Sequence, residues 1–251
     1  MKELLVAVLV AVIQLGAMWL GSRIRRRLPE HHLSSDTKDA VKLAMGLVTT
    51  MTALILGLLV SSAKNTYDTA RSEVMQMATK VAYVDRMLAL YGPEAAGTRR
   101  QLHDAIVEAV QRMWPDEEGV PAKLEPDTRT GDALFTAMHA LAPQTDMQRD
   151  IKAQSIAILA EVGQLRTLLL VQSVRSISPP LLVAVVGWLT IIFLASSLVA
   201  PPTYTATIAM VAAVVSVSGA LFLILELDQP FAGMIGISSE PMMVALTHLA
   251  R

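Results

Sequence analysis

Residues 42–64 read KLAMGLVTTMTALILGLLVSSAK, and this stretch decides the fold. The residues between its two flanking lysines, Leu43–Ala63, are all uncharged. A helix needs about 20 apolar residues to cross the ~30 Å hydrocarbon core of a bilayer, so the stretch is long enough to span it. Small residues recur along it three or four positions apart, at Gly46, Thr50, Ala53, Gly57 and Ser61, with Thr49, Thr52 and Ser62 beside them. The sequence therefore predicts a transmembrane helix with one small, hydroxyl-bearing face.

Three further uncharged stretches meet the same criterion, at Leu4–Ser22, Pro179–Ala200 and Thr203–Leu225. The chain has 251 residues, of which 53% are hydrophobic and 17% are charged, whereas soluble domains average about 25% charged residues. Pro201 and Pro202 lie between the last two stretches and separate them into two helices, because proline cannot continue a helix comfortably. We predict four transmembrane helices in two pairs, 1–63 and 179–227. The first is expected to be an uncleaved anchor, since arginines follow it where a signal peptide would carry small residues.

Between the pairs the sequence predicts a soluble helical domain, residues 64–178. The second span is expected to continue as a helix through Asn65–Tyr91 and to stop at Gly92-Pro93. Its apolar stripe is Val74, Met77, Val81, Val84 and Leu88.

Three more helices complete the predicted domain, at Thr98–Trp114, at Asp132–Leu141 and from Thr145 towards Ser176. The first has its apolar stripe at Leu102, Ile106, Val110 and Met113. The last begins with a Thr-x-x-Gln capping signature, and its stripe is Met147, Ile151, Ile158, Val162, Leu165 and Leu169. At 1.5 Å per residue the two long helices make an antiparallel stalk up to ~45 Å long. The predicted fold class is all-α: a polytopic membrane protein whose two pairs of spans flank this stalk domain.

The sequence contains no recognisable catalytic or metal-binding motif. Cysteine is absent, and there is no Ser-x-Gly elbow, no His-Glu-x-x-His helix and no carboxylate inside a span. His31 and His32 are adjacent and lack the further ligands of a zinc site, so we interpret them as solvated loop residues. The net charge of −1 provides no field that attracts nucleic acid. We therefore predict no enzyme, no catalytic or metal-binding residue and no cofactor.

The small-residue face of the second span has two interpretations. Small residues let helices approach closely in lipid, so Gly46, Thr49, Thr50, Ala53, Gly57 and Ser61 are candidates for helix packing. Alternatively, their hydroxyls line a water-filled path in an oligomer, since uncharged polar linings suit a weakly selective pore. The fourth span repeats the device and is predicted to be the packing counterpart, with Thr205, Ala209, Ala212, Ser216 and Gly219.

The segment 228–251 is the second unusual feature. Its residues Asp228, Pro230, Phe231 and Gly233 indicate a turn, and Ser238 or Ser239 is the predicted cap of a short amphipathic helix, Met242–Leu249. One interpretation is an interfacial anchor behind the last span. The other is a gate or subunit contact at the mouth of the bundle, carried by Asp228, Pro230, Phe231, Gly233, Ser238 and Pro241.

The run 42–64, followed by Tyr67-Asp68, resembles the signature span of an uncharacterised bacterial membrane family described as bestrophin-like. Residues 226–241 resemble the second signature of that family, and the resemblance covers nearly the whole chain. It implies a distant similarity to bestrophins, which are anion channels built as pentameric rings with the same order of elements. The second span lacks the aromatic residues of the bestrophin neck, so anion selectivity does not carry over.

Two indications of sidedness conflict. Arg23, Arg25, Arg26 and Arg27 follow the first span directly, and basic loops stay cytoplasmic, so the stalk domain is expected in the periplasm. The bestrophin resemblance implies a cytosolic domain instead. Taken together, the sequence predicts an inner-membrane homo-oligomer that passes ions, with lipid and ions as partners. The alternative is a non-conducting sensor or scaffold whose helical domain binds a partner.

Overall fold

The computed structural model describes residues 2–29, 34–115, 125, 128–172, 177–201, 203–231 and 234–249. Within these ranges the chain forms α-helices and no strand, which confirms the all-α prediction. The helices are α1 (Lys2–Arg25), α2 (Ser35–Tyr91), α3 (Ala96–Met113), α4 (Thr128–Ala140), α5 (Asp146–Gln172), α6 (Pro179–Val199), α7 (Tyr204–Leu227) and α8 (Glu240–Leu249).

Helix α2 runs without a break for 57 residues, so the second span does continue to Tyr91 as predicted. It stops at Gly92, whose φ of +125° lies in a region that side chains rarely adopt. Pro93 then begins a single 3-10 turn, Pro93–Ala95. The Gly-Pro stop acts here through backbone conformation as well as through the missing proline N–H.

The chain divides into two compact units. The first, which we name the apolar unit, comprises residues 1–65 and 175–228. The second, the amphipathic unit, comprises residues 66–174 and 229–251. Helix α2 contributes its first half to one unit and its second half to the other.

In the apolar unit, α1 packs against α6 and α7. The backbones of α1 and α6 approach closely at Gly21, where an added Cβ would lie 2.5 Å from the carbonyl oxygen of Leu194. Beside it, Ser197 Oγ donates to the carbonyl of Met18 at 2.6 Å. One turn further into the bundle, the fully buried Gln14 reaches the carbonyl of Val186 through Nε2 at 3.5 Å. Small and polar residues thus join these helices, as expected of helices in lipid, where burial of apolar surface does not drive helix association.

The amphipathic unit is built around the second half of α2. The predicted stripe Val74, Met77, Val81, Val84 and Leu88 is buried, and so is the α3 stripe Leu102, Ile106, Val110 and Met113. Both predictions are confirmed.

The predicted α5 stripe is only partly correct. The inclusion of Met147 is wrong, because this residue lies in the first turn of α5 and is 60% exposed. The buried face of the helix begins at Ile151. Ser155 and Leu159 are buried between Ile151 and Leu169. The hydroxyl of Ser155 lies 3.9 Å from the sulfur of Met87. The centre of the buried face of α5 is therefore occupied by a polar residue, which a search for apolar residues does not include.

Polar contacts fix the ends of these helices. Thr145 Oγ1 accepts from the backbone N–H of Gln148 at 3.1 Å, which confirms the predicted cap of α5. The Gln148 side chain donates to the carbonyl of Tyr91 at 2.9 Å and so joins α5 to the end of α2. Arg99 of α3 forms a two-point contact with the buried Asp85 of α2, at 2.7 and 2.8 Å. This hydrogen-bonded pairing raises the pKa of the guanidinium.

The C-terminal helix belongs to the same core. Ile237, Met242, Ala245 and Leu246 are buried together with residues of α2 and α3. The sequence suggested a separate segment from residue 228, set at the membrane interface or at the mouth of the bundle. In the structure the apolar face of α8 instead completes the amphipathic unit.

Five helices within the described ranges are long and apolar enough to cross a membrane. Four of them contain most or all of a predicted span and have mean hydropathies of 2.2 to 2.6 over their most apolar windows. The fifth is α5, with a mean hydropathy of 1.3, which the sequence had assigned to the soluble domain.

Candidate functional site

The small-residue face of α2 is uncovered in the single chain. Every member of the predicted stripe is exposed: Gly46, Thr49, Thr50, Ala53, Gly57 and Ser61. An added Cβ at Gly46 or Gly57 would meet nothing within 4 Å beyond the helix itself. A glycine usually marks close approach by a neighbour in a membrane helix, and here the described chain supplies none.

The opposite face of α2 has partners. Thr52, Leu59 and Ala63 are buried, and the last two lie in an apolar cluster with residues of α1, α6 and α7. Helix α2 therefore packs in the apolar unit through one side only, and the small-residue stripe on its other side remains exposed. The sequence predicted the small-residue face as a set, but it placed Thr52 beside that face, whereas Thr52 is buried on the opposite side. It also did not show which face the same chain would cover.

Threonine hydroxyls on α2 are bonded to their own helix. Thr50 Oγ1 donates to the carbonyl of Gly46 at 2.9 Å, and Thr52 Oγ1 donates to that of Val48 at 2.7 Å. With the proton used in this way, the outward oxygen of Thr50 retains its acceptor lone pairs. Such a surface is weakly polar, carries no charge and costs little to place in lipid or against another helix.

The stripe on α7 has the same exposure. Thr205, Ala209, Ala212, Ser216 and Gly219 are all exposed, and Gly219 has nothing within 4 Å of an added Cβ. Within one chain, therefore, the two stripes do not bury each other, and the predicted packing of α7 against the second span is not made through these residues. The apolar unit joins α7 to α2 through Leu221 and Ile224 instead, which lie in the cluster with Leu59 and Ala63.

Two carboxylates lie at the end of α7. Glu226 is 1% exposed and Asp228 is 4% exposed, and each has an interaction partner. The sequence predicted a turn here but did not predict that Asp228 is buried. A buried carboxylate is costly unless it is paired, so the interaction partners of Glu226 and Asp228 offset the cost of their burial at the end of α7.

The turn that follows is held inside the amphipathic unit. The carbonyl of Pro230 accepts from the N–H of Ile237 at 2.8 Å and closes the loop between them. Phe231 packs edge-on against Trp114 with ring centroids 6.0 Å apart. The indole Nε1 of Trp114 donates to the carbonyl of Ile237 at 2.7 Å. Trp114 thereby clamps both sides of the loop.

The remaining members of this candidate set differ in position. Ser238 Oγ accepts from the N–H of Glu240 at 3.1 Å and helps to begin α8, as the sequence predicted. Pro241 lies in the first turn of α8, and Gly233 lies outside the described residues. Sequence reasoning missed Trp114 as part of this site. Its position at the end of an amphipathic helix, directly before Pro115, was the feature that would have marked it.

The histidines provide no metal site in the part of the chain that is described. No group of three histidine or carboxylate side chains comes together there. His103 contacts the neighbouring Asp104 at 3.4 Å, and His139 contacts the carbonyl of Phe135 at 2.9 Å. His31 and His32 lie outside the described residues.

Long apolar helices with small-residue faces, joined to a helical unit of ordinary amphipathic packing, define a polytopic α-helical membrane protein. The bestrophin-like domain model matches residues 8–242, and the chain belongs to this bestrophin-like family. The resemblance inferred from the two sequence signatures is thereby confirmed.

The fold is also that of solved bacterial bestrophin homologues from Klebsiella pneumoniae. A tryptophan-to-alanine variant is 16% identical with a TM-score of 0.69, and the match covers 99% of this chain and 95% of that one. A leucine-to-threonine variant is 15% identical with a TM-score of 0.65, over 99% and 98% of the two chains. At this level of identity the likeness concerns the fold alone. No curated protein matches the chain.

Proposed function

We propose that this chain crosses the bacterial inner membrane four times and assembles into a homo-oligomeric ring that passes ions, with α2 nearest the axis. The observation that carries the proposal is the hydroxyl-bearing stripe of α2, which a single chain leaves uncovered. Membership of the bestrophin-like family and the whole-chain fold match to bestrophin homologues support a channel-like organisation. The ring number, five by analogy, comes from bestrophins alone.

The four proposed spans are α1, the first half of α2, α6 and α7. Helix α5 is assigned to the soluble domain, residues 64–178, although its length and composition would allow it to span. It carries Lys152, Glu161 and Arg166 within its length, and charges at the centre of a bilayer are costly. It also buries Ile151, Leu159 and Leu169 in the core of the amphipathic unit, which provides its apolar face with partners outside lipid.

Ion flux from liposomes tests the proposal. Thr50→Leu places an apolar branched side chain on the stripe, and we expect it to lower flux by roughly an order of magnitude, because apolar constrictions exclude water. Met51→Leu, one position along the same helix and also exposed, is the matched control and should conduct like the wild type. Absence of flux from wild-type protein at every pH and voltage tested would contradict the proposal. Loss of the oligomer in Thr50→Leu would assign the stripe to packing.

Sidedness is proposed from the basic loop, with the amphipathic unit in the periplasm. The chain has no cysteine, so single cysteines report cleanly. Ala133→Cys in α4 and Ser35→Cys at the start of α2 are both at exposed positions. A membrane-impermeant maleimide applied to spheroplasts should label the first and spare the second until the membrane is opened. The reverse pattern would place the unit in the cytosol, as in bestrophins.

One observation favours the second candidate function, a non-conducting sensor or scaffold. Helix α2 contributes residues to both the apolar unit and the amphipathic unit without a break, so it is suited to carry a displacement from one to the other. This candidate predicts that the helical domain captures a specific partner. The domain must then include residues 229–249, because Ile237, Met242 and Leu246 are part of its core. Candidate gate or subunit-contact residues Asp228, Pro230, Phe231, Gly233, Ser238 and Pro241 serve either function.

A further inference from the structure

Four arginines lie at the end of α1, at positions 23, 25, 26 and 27. Helix α1 ends at Arg25, but backbone hydrogen bonds of helical spacing continue as far as Leu28. Side chains three or four positions apart therefore still share one side of the chain here. Arg23, Arg26 and Arg27 are exposed and have this spacing. We name these three residues the arginine face.

The guanidinium groups of the arginine face have no carboxylate partner among the described residues. Asp39, in the segment that follows, is paired with Lys42 at 2.9 Å instead. Arg23 lies over the ring of Trp19, 5.4 Å from its centroid, and this contact orients the guanidinium without neutralising it. Over residues 23–42 there are six lysines and arginines and three carboxylates, which gives an excess of three positive charges.

The fourth arginine is partly withdrawn from solvent. Two residues from Arg23 along a helix, Arg25 lies on nearly the opposite side of α1. It is half-buried, and its Nη1 has no hydrogen-bond acceptor in the described part of the chain. Withdrawing a cation from water is costly unless an opposite charge lies near it. An anion held at the arginine face would reduce that cost.

The turn between α6 and α7 lies at the same end of the apolar unit. Gln14 of α1 contacts Val186 of α6, and Gly21 further along α1 lies against Leu194 further along α6. The two helices therefore run in the same direction and end on the same side. The turn that follows α6 contains no charged side chain, so it adds no carboxylate to this end of the unit.

Two exposed aromatic side chains mark the depth of this end in a membrane. Trp19 is 61% exposed, and Tyr204, the first residue of α7, is 92% exposed. Tryptophan and tyrosine are enriched where the hydrocarbon core of a bilayer meets the headgroups. The arginine face begins one helical turn beyond Trp19, which places it among the lipid headgroups once α1 spans the membrane.

We propose that the arginine face binds the headgroup of a phospholipid with two phosphate groups, such as cardiolipin. Arginine suits this role because its planar guanidinium binds phosphate oxygens through two parallel hydrogen bonds. Clusters of about four to eight basic residues beside a transmembrane helix attract anionic lipids. Three excess positive charges are more than a headgroup with one negative charge neutralises. The proposal rests on α1 as a membrane span and does not depend on ion passage.

Native mass spectrometry of the full chain, released from detergent micelles with added lipid, tests the proposal. We expect the wild-type chain to bind cardiolipin roughly tenfold more tightly than phosphatidylcholine, with the monoanionic phosphatidylglycerol between them. Soluble glycerophosphoglycerol has the phosphate diester without acyl chains, and an excess of it should not displace cardiolipin. Displacement would assign the arginine face to a free phosphate ester and overturn the lipid proposal. Equal affinity for cardiolipin and phosphatidylcholine would also overturn it.

Two charge-removing variants locate the binding. Arg23→Gln and Arg26→Gln should each weaken cardiolipin binding roughly fivefold, which corresponds to about 1 kcal/mol for each basic residue near a membrane surface. Arg100→Gln removes the same charge from an exposed position of α3 and is the matched control. Its affinity for cardiolipin should stay within about twofold of the wild type. Gel filtration and melting temperature establish that each variant is folded.

A third variant keeps every charge of the arginine face. Trp19→Leu removes the ring that orients Arg23 and should weaken cardiolipin binding about two- to fivefold. Leu20→Ala, next along α1 and also exposed, is its control and should bind like the wild type. Wild-type affinity in Arg23→Gln, Arg26→Gln and Trp19→Leu would overturn the proposal, and so would an equal loss in Arg100→Gln.

Discussion

The two halves of α2 are one continuous helix, yet they are packed in opposite ways. In the first half the large side chains Leu43, Leu47 and Leu54 are 67% to 78% exposed. In the second half Val74, Val81 and Leu88 are fully buried. The first half exposes these three leucines and keeps a small-residue face uncovered, whereas the second half buries every member of its stripe.

The proposed arrangement places the first half of α2 in lipid and the second half in water, and these two solvents account for the difference in packing. In water, burial of apolar surface stabilises by about 25 cal/mol per Å², so an amphipathic stripe must find a core in its own chain. In lipid, an exposed leucine costs nothing, and helices associate through close packing and polar contacts instead. Exposed leucines in the first half therefore need no explanation, while exposed glycines and threonines do. That contrast directs attention to Gly46, Thr50 and Gly57.

The largest expected effect compares one leucine from each half. Leu88→Ala should lower the free energy of unfolding by about 2–5 kcal/mol, because Leu88 is fully buried. Leu54→Ala, at 71% exposure, should change it by less than about 0.5 kcal/mol. In a chain of this size 1 kcal/mol moves the melting temperature by roughly 2–4 °C. Melting curves by gel filtration after heating measure both, and similar losses would remove the distinction between the halves.

A smaller effect compares two glycines in the apolar unit. Gly21→Ala should destabilise by about 1–3 kcal/mol, because the new Cβ would lie 2.5 Å from the carbonyl of Leu194 and force α1 and α6 apart. Gly57→Ala meets nothing within the chain and gains helix propensity. We expect it to leave the melting temperature of the protomer unchanged or raised, and to act only on assembly, which the mass of the purified particle reports. A lowered protomer melting temperature in Gly57→Ala would show that the stripe is covered within the chain.

The smallest expected effect lies where α2 ends. The hydroxyl of Tyr91 is buried and has no hydrogen-bond partner in the described chain. Burial and the nearby Glu94 raise the pKa of this phenol above 10.0. The free energy of unfolding is therefore unaffected by this phenol below pH 10. It falls as the pH rises from 10 through the raised pKa, because the unfolded phenol ionises first.

Tyr91→Phe removes that group. We expect it to be neutral or to stabilise by up to about 1 kcal/mol at pH 7, and to reduce the loss of stability above pH 10. Melting temperatures at pH 7 and pH 10.5 measure the two effects. Destabilisation by more than about 2 kcal/mol at pH 7 would mean that the hydroxyl has a partner.

Much of the fold was predictable from spacing alone. The long apolar helices, the continuation of α2 to Tyr91, the Gly92-Pro93 stop and the Thr145 cap follow from local rules on apolar periodicity and backbone geometry. The α5 stripe shows the limit of such rules. Hydropathy included Met147, which is exposed, and passed over Ser155, which is fully buried, because a pattern does not show where a neighbouring helix ends.

The candidate sites divide in the same way. The sequence by itself determined which residues form the small face of α2, since 3.6 residues per turn assign them to one side. Only the tertiary structure decided that the chain leaves this face uncovered, that Trp114 clamps the turn after α7, and that α8 completes a core more than a hundred residues away. Each of these depends on contacts between segments distant in sequence, and such contacts follow from how whole helices pack rather than from any local pattern.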